Sequence, residues 1–375
     1  MKKVCYYVMG HPLLSKNIGG AEIQLHYIGK ELQSNGWETH YIVDDEGKDF
    51  PKEAGGQFIH PIKSFRKSKY GLLRLSPYLL ANTLFTYNRP DFDGALDQIN
   101  PDIVHQRGSS IVTGYFASWA ERNNKPFVFS IAHIDDCTLK GNLWAGISRQ
   151  LLKKRLYLYG LSKARIIIAT ADYLKEAMGK LLPDADIRVI RSGHPMPNEK
   201  PKKKDTVVWV SRAVSYKFPG EFISLAKKLP QYNFEMIGGI TEHEEFESVM
   251  ARTGKLDNLH ILGFLPQEQV NNHISEAKLL VDTSDSAGFP NTFIQAWLRH
   301  ATVVSLSLDP DELLSGAGVG VLSGSPEKLT EDVRQLMENE RERKGIAKRA
   351  FKYAKRNHDI KRTGEAHLKL YREII

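Results

Sequence analysis

Short apolar runs alternate along this chain with longer stretches whose apolar residues recur every three or four positions. Residues 3–9 form the first such run and predict a strand. Gly19 and Gly20 open a helix with Ala21, Leu25, Ile28 and Leu32 along one face. Gly36 stands where a left-handed residue would end it. Residues 38–43 predict a second strand, and strand, helix, strand in that order begins a parallel sheet. The alternation continues through predicted strands at 102–105, 126–131 and 165–169, and the run 188–190 ends the series. Residues 195–204, PMPNEKPKKK, combine proline with lysine and read as a linker. A second series follows, with strands at 206–210, 233–237, 259–262, 278–282, 303–306 and 320–322. From Pro326 onward the pattern is helical to the end. Two α/β units joined near residue 200 are therefore expected, which suits a chain of 375 residues.

The second series contains the stretch on which a functional reading turns. In VDTSDSAGFPNTFIQAWLRH, residues 281–300, a strand empties into small and polar residues. Pro290 then suits the first turn of a helix, and Phe293, Ile294, Trp297 and Leu298 recur on one face. A helix that starts there aims unpaired backbone N–H groups at whatever lies before Gly288, which favours an anion. Open parallel sheets bind ligands beyond the carboxyl ends of their strands, so two such sheets face to face would hold a site in the gap.

Charge refines this picture. The net charge is +8, and its excess is local. Residues 61–90 hold Lys63, Arg66, Lys67, Lys69, Arg74 and Arg89 without an acid. Residues 137–171 hold Lys140, Arg149, Lys153, Lys154, Arg155, Lys163 and Arg165, again without one. Both stretches carry leucines and tyrosines at near-helical spacing. They read either as solvated helix faces or as contacts to an anionic membrane surface. Nucleic acid is not expected as a partner, because no zinc-finger, RRM or helix-turn-helix signature accompanies the charge. No apolar run approaches a membrane span. The opening MKKVCYYVMGHP lacks a small-residue cleavage site and reads as a strand rather than a signal peptide. Cys5 and Cys137 have no metal-ligand spacing and fit a reducing cytoplasm.

Three further places could carry chemistry. Arg212 and Lys217, in VSRAVSYKFPG, follow the first strand of the second series and could stabilise charge on a leaving phosphate. His133 closes the strand PFVFSIAH, where it could donate to a hydroxyl or move a proton, or be structural. The loop Gly19–Gly20 with Glu22 would let a phosphate or sugar approach the backbone, or be only a tight turn. It lacks GxGxxG, which argues against an ordinary NAD site. Asp91 with Asp93, Asp135 with Asp136, and Asp309 with Asp311 each invite a divalent cation. The first pair reads as a helix start and the last as a turn, and no metal is expected.

GFPNTFIQAW, together with the GGAE loop and the Arg212–Lys217 pair, resembles the retaining glycosyltransferases of family 4. The resemblance spans nearly the whole chain and is strongest at 206–217 and 281–311. It implies the GT-B fold: α/β, two facing Rossmann-like domains with parallel sheets, and a C-terminal helix crossing back. Domains are then expected at 1–195 on the acceptor side and at 196–356 for the nucleotide sugar. Residues 357–375 would pack back on the first. It also implies that Arg212 and Lys217 hold a donor diphosphate and that His133 contacts the donor sugar. Gly20, Gly263, Phe264, Asp285, Ala287, Gly288, Phe289, Asn291, Thr292 and Gln295 would line the donor site. Gln295 would bond the ribose, in place of an acid found in much of the family. Ser192-Gly193-His194 replaces a common Asn-Gly and reads as a hinge.

One departure matters: where the family has a Glu before Gly-Phe, this chain has Ala287. The resemblance thus implies a metal-independent glycosyltransferase with no cofactor beyond its nucleotide-sugar donor. Its acceptor would be a glycan or lipid-linked sugar in cell-surface polysaccharide synthesis. The alternative is a catalytically impaired nucleotide-sugar-binding scaffold. The expected location is the cytoplasm, with the inner membrane face as a peripheral site.

Overall fold

A computed structural model describes residues 1–15, 19–45, 50–63, 90–138, 147–197, 202–239 and 256–375. The chain divides into two compact units, Met1–Arg191 with Ile360–Ile375, and Ser192–Asp359.

The first unit is an eight-stranded sheet with helices packed on it. Its strands are β1 (Lys2–Val8), β2 (Trp37–Asp45), β3 (Glu53–Ala54), β4 (Gln57–Lys63), β5 (Ile103–Arg107), β6 (Phe127–Ser130), β7 (Ile166–Ala169) and β8 (Ile187–Val189). Their order across the sheet is β3-β4-β2-β1-β5-β6-β7-β8, and every pair is parallel except β3 with β4. The order reverses direction between β1 and β5, the kind of switch point at which open parallel sheets bind ligands. Helix α1 (Gly20–Ser34) follows β1. It buries Leu25, Ile28 and Leu32 beside Val4, Tyr6 and Val8 of β1. Helices α2 (Pro90–Ile99), α3 (Val112–Arg122), α4 (Asp135–Thr138), α5 (Ile147–Lys163) and α6 (Asp172–Leu181) are the other helices among the described residues of the first run of chain.

Strands β3 and β4 are absent from the sequence reading. Gly55 and Gly56, at φ 59° and 82°, form a two-residue turn between them. Two positive φ angles in a row are what a tight hairpin needs, and glycine supplies them without strain. The basic stretch at 61–90 therefore begins inside a strand, and its residues 64–89 lie outside the described residues, as do 139–146 of the second stretch.

The second unit is a six-stranded parallel sheet of β9 (Lys204–Val210), β10 (Asn233–Ile237), β11 (Leu259–Gly263), β12 (Ala277–Asp282), β13 (Thr302–Ser305) and β14 (Val321–Leu322). Its order is β11-β10-β9-β12-β13-β14. Helices α7 (Pro219–Lys228), α8 (Gln267–Glu276), α9 (Asn291–Leu298), α10 (Pro326–Glu338) and α11 (Glu340–Asn357) pack against it. Trp209, Phe222, Phe234, Leu279 and Val333 fill one core at near-zero exposure. The end of the expected linker is not loose chain. The Lys203 ammonium donates to the carbonyls of Ser275, Ala277 and Arg299 at 2.7, 2.8 and 2.9 Å, which closes the carboxyl ends of α8 and α9.

The last helix, α12 (Ile360–Ile374), belongs to the first unit. Its Tyr371 hydroxyl lies 2.5 Å from His105 Nδ1 and 3.4 Å from the Tyr6 hydroxyl, and His105 Nε2 lies 2.7 Å from Ser130 Oγ. All four side chains are buried.

Candidate active site

The strand order of the second unit places four carboxyl ends side by side: β11, β10, β9 and β12. β9, β11 and β12 each feed a residue singled out by sequence, and β10 feeds Gly238. Gly263 ends β11 at φ 66°, and Phe264 after it is 39 % exposed. Gly238 N, just past β10, donates to Gly263 O at 2.8 Å. Gly238 itself has φ 142°, and a Cβ there would fall 1.6 Å from Ser211 O. Only glycine lets the loop after β9 lie that close, and that loop carries Arg212 and Lys217.

The loop is fastened to the turn after β12 at several points. Thr283 Oγ1 donates to Lys217 O at 2.6 Å and accepts from the buried Trp209 indole N–H at 3.0 Å. Asp285 N donates to Tyr216 O at 3.4 Å. Lys217 Nζ donates to Ser286 O at 3.2 Å and lies 5.2 Å from the Tyr216 ring centroid. Arg212 is exposed, and its Nη2 donates to the Tyr216 hydroxyl at 3.1 Å. Both cations thus stand on one short loop, with Lys217 against the turn that holds Ala287 and Gly288. Burial, the largest cause, lowers the Lys217 pKa. Asp282 opposes it, Arg212 adds to it and Asp285 opposes it.

The structure shows what several expected donor residues contact in the chain itself. Pro290 is the N-cap of α9 rather than a residue of its first turn, at φ −68° and ψ 119°. Asn291 and Thr292 are the first helical residues and are partly buried. The Phe289 ring is 6 % exposed, at 4.8 Å from the His358 ring centroid and 6.1 Å from that of Trp297. It anchors the turn from below. Gln295 is 4 % exposed, and its Nε2 donates to Asn271 Oδ1 of α8 at 3.0 Å. Asp285 is exposed, and Ala287 is partly buried.

In the first unit, Gly20 begins α1, and Glu22 reaches back to accept from Gly19 N at 3.1 Å. His133 follows β6 and is held by its neighbours. Its backbone N donates to Asp136 Oδ2 at 3.1 Å, and its Nδ1 lies 3.2 Å from both Asp135 N and Asp135 Oδ2. Asp136 is buried and accepts from Ser109 N, Ala132 N and His133 N at 3.0, 2.8 and 3.1 Å. Asp93 pairs with Arg122 at 2.7 Å. Asp309 accepts from Leu314 N, Ser315 N and Ser315 Oγ. Asp136 and Asp309 shape loops, and Asp93 ties α2 to α3.

Ser192 is buried, and its carbonyl accepts from His358 Nδ1 at 2.7 Å, while His194 N donates to His358 O at 2.9 Å. The first and last stretches of the second unit therefore lie side by side.

Comparison with known proteins decides the family. The model described as Glycosyltransferase Family 4 matches residues 18–195, and that described as Glycosyl transferases group 1 matches residues 192–353. The chain belongs to the family 4 glycosyltransferases. A comparison with curated proteins finds no match. Solved structures show the GT-B fold. Sucrose-phosphate synthase from Thermosynechococcus elongatus is 14% identical, with 100% of this chain and 99% of that one covered at a TM-score of 0.77. Anabaena HepE in complex with UDP and glucose is 16% identical, with both chains fully covered (100% and 100%) at 0.74. An S. aureus TarM variant in complex with fondaparinux, alpha-GlcNAc-glycerol and UDP is 13% identical, with 99% and 100% covered at 0.71. This glycosyltransferase thus shares its fold with proteins of low sequence identity.

Sequence reasoning passed over Asp282, Asn271 and Thr283, which brace the site without a family signature. Asp282 alone left a trace, as an acid ending the apolar strand AKLLVD.

Proposed function

We propose that this glycosyltransferase moves a sugar from a nucleotide sugar to a hydroxyl of a glycan or lipid-linked acceptor in cell-surface polysaccharide synthesis, with retention and without a metal. The observation that carries the reading is the fastening of the Arg212–Lys217 loop to the turn at 283–288. When the donor bond breaks, negative charge builds on the leaving diphosphate. Two cations held in advance, with the amides that open α9, stabilise that charge without reorganising. This is work that a divalent cation does elsewhere. Retention follows if the leaving diphosphate takes the acceptor proton on the face it departs from. His133 would donate to a sugar hydroxyl, Gln295 would meet the ribose, and the backbone at Gly263 and Phe264 would receive the base. The UDP complexes of HepE and TarM make uridine donors the first to try.

The test is nucleotide release from a panel of nucleotide sugars, with and without a chelator. R212A and K217A are expected to lose on the order of a hundredfold in turnover, and the chelator to change nothing. Silence across the panel, with R212A binding donor as wild type does, removes the proposal.

Ala287 favours a second reading, a donor-binding scaffold with little turnover. The variant A287E separates the two. On the first reading it changes turnover by less than about tenfold, and on the second it raises turnover on the order of a hundredfold.

For location we propose the cytoplasm, with the acceptor half resting on the inner membrane face. Lys154 and Arg155 are exposed on α5. Among the described residues no helix is long and apolar enough to cross a membrane. Equal recovery of the protein after sedimentation with neutral or anionic vesicles would count against membrane contact.

A further inference from the structure

Asp282 ends β12 with a carboxylate that is 7 % exposed. Its Oδ1 accepts from Ser284 N at 3.0 Å, and its Oδ2 accepts from Ser284 Oγ at 3.2 Å. These two bonds start the turn that leads to Gly288. A buried carboxylate needs positive charge or a full set of donors, and one serine supplies only part of that set. Burial raises its pKa, and Lys217 is the foremost charge that opposes this rise. In return, Asp282 is the foremost opposite charge that Lys217 meets. The charged groups facing Lys217 are Asp282 from β12, Arg212 from its own loop and Asp285 from the turn. The backbone is tied at the same place. Thr283, next to Asp282, donates to Lys217 O at 2.6 Å, and the Lys217 ammonium reaches Ser286 O at 3.2 Å.

We propose that Asp282 is a positioning residue for the donor site. Its buried negative charge holds the Lys217 ammonium against the turn and offsets the repulsion between Lys217 and Arg212. It touches no substrate and acts through Lys217. With one N–H of Lys217 on Ser286 O, two remain for a nucleoside diphosphate. The turn, which lacks a carboxylate at Ala287, keeps one behind it instead. The proposal rests on the reading of Lys217 as a diphosphate ligand.

Calorimetric binding of UDP from neutral to alkaline pH tests it, with wild type, D282N, D282E and K217M compared. D282N keeps an acceptor for Ser284 but loses the charge. Its UDP affinity at neutral pH is expected to fall by less than about threefold. Its alkaline loss of binding is expected to move toward neutrality by about one pH unit, so that at high pH it binds about tenfold more weakly than wild type. D282E is expected to restore the wild-type profile. A D282N profile weakened equally at every pH, or one identical to wild type, overturns the proposal. Should D282N not fold, D282S takes its place, with the same expected and overturning profiles. K217M tests the underlying reading separately: UDP affinity equal to wild type at neutral pH removes Lys217 from the site, whatever Asp282 does.

Discussion

Phe218 holds a backbone conformation that a bulky side chain rarely adopts, with φ 44° and ψ 57°. It stands between Lys217 and Pro219, where the chain leaves one short turn and enters α7. Its ring is 43 % exposed. The left-handed region costs a residue with a Cβ about 1–2 kcal/mol, and glycine would return about 0.5–1 kcal/mol in unfolded-chain entropy. F218G is therefore expected to raise stability by about 0.5–1 kcal/mol, read as a higher denaturant midpoint at unchanged slope. An unchanged or lower midpoint would show that the ring contributes packing which outweighs the strain. Strain of this kind beside a site is tolerated where neighbouring bonds fix the chain. Here Phe218 N donates to Ser215 O and Phe218 O accepts from Glu221 N, both at 3.0 Å.

At the scale of elements, the clearest dependence on one side chain is at the start of β9. Lys203 joins the ends of α8 and α9 through three carbonyls. Burial is the largest influence on its amine and, with Arg299 and Arg343, pulls its pKa down to about 7. Three carbonyl acceptors call for the three hydrogens of the ammonium, so the charged form is the one that fits this geometry. K203M keeps the stem and leaves the carbonyls without a donor. It is expected to cost about 3 kcal/mol, measured by equilibrium unfolding, and a loss below about 1 kcal/mol would show that water replaces the amine. Nothing in PMPNEKPKKK distinguishes Lys203 from its neighbours, because the difference is made by helix ends far away in the chain. That is the general division between what was legible and what was not. The helices and strands of both units show in their periodicity, since burial of one face is a local pattern. The Arg212–Lys217 pair and the turn at 284–288 show because a strand end and a helix start mark them. The hairpin at Gly55–Gly56 carried a signal that the reading passed over. Asn271 meeting Gln295, and Phe289 lying on His358, depend on residues brought together from different elements, which no spacing along one of them reveals.

For the molecule as a whole, the first unit carries six histidines whose surroundings resist protonation. Burial is the leading cause at each. His11, His60 and His367 are drawn down to about 4, His26 and His40 are lowered, and His105 is well below its ordinary range. A lowered histidine stays neutral in the folded chain while the unfolded chain takes up a proton below about pH 6.5. Its contribution is intact above that pH and is lost as pH falls toward the folded value, with a slope approaching about 1.4 kcal/mol per pH unit for each group. Asp93 works the other way. Burial raises it to about 6 against the pull of Arg122, so the folded chain gains a proton first and this one group adds stability on acidification. Within the first unit this one gain does not balance six losses. Lys203 adds no slope in this range, being protonated in both states below about 7. Stability is therefore expected to fall steeply from pH 6.5 to pH 5. The loss should appear first in the first unit, as faster hydrogen exchange in β1, β5 and α12 than in β9 and β12. His367 Nδ1 lies 2.8 Å from Thr363 O within α12, a bond that an asparagine amide can replace. H367N is thus expected to flatten the acid slope by about one histidine's share while leaving neutral stability within about 1 kcal/mol. A wild-type profile flat between pH 7 and 5 would mean that these rings take up protons in the folded state as readily as in the unfolded one, and that the helix closing the chain is held by its apolar face alone.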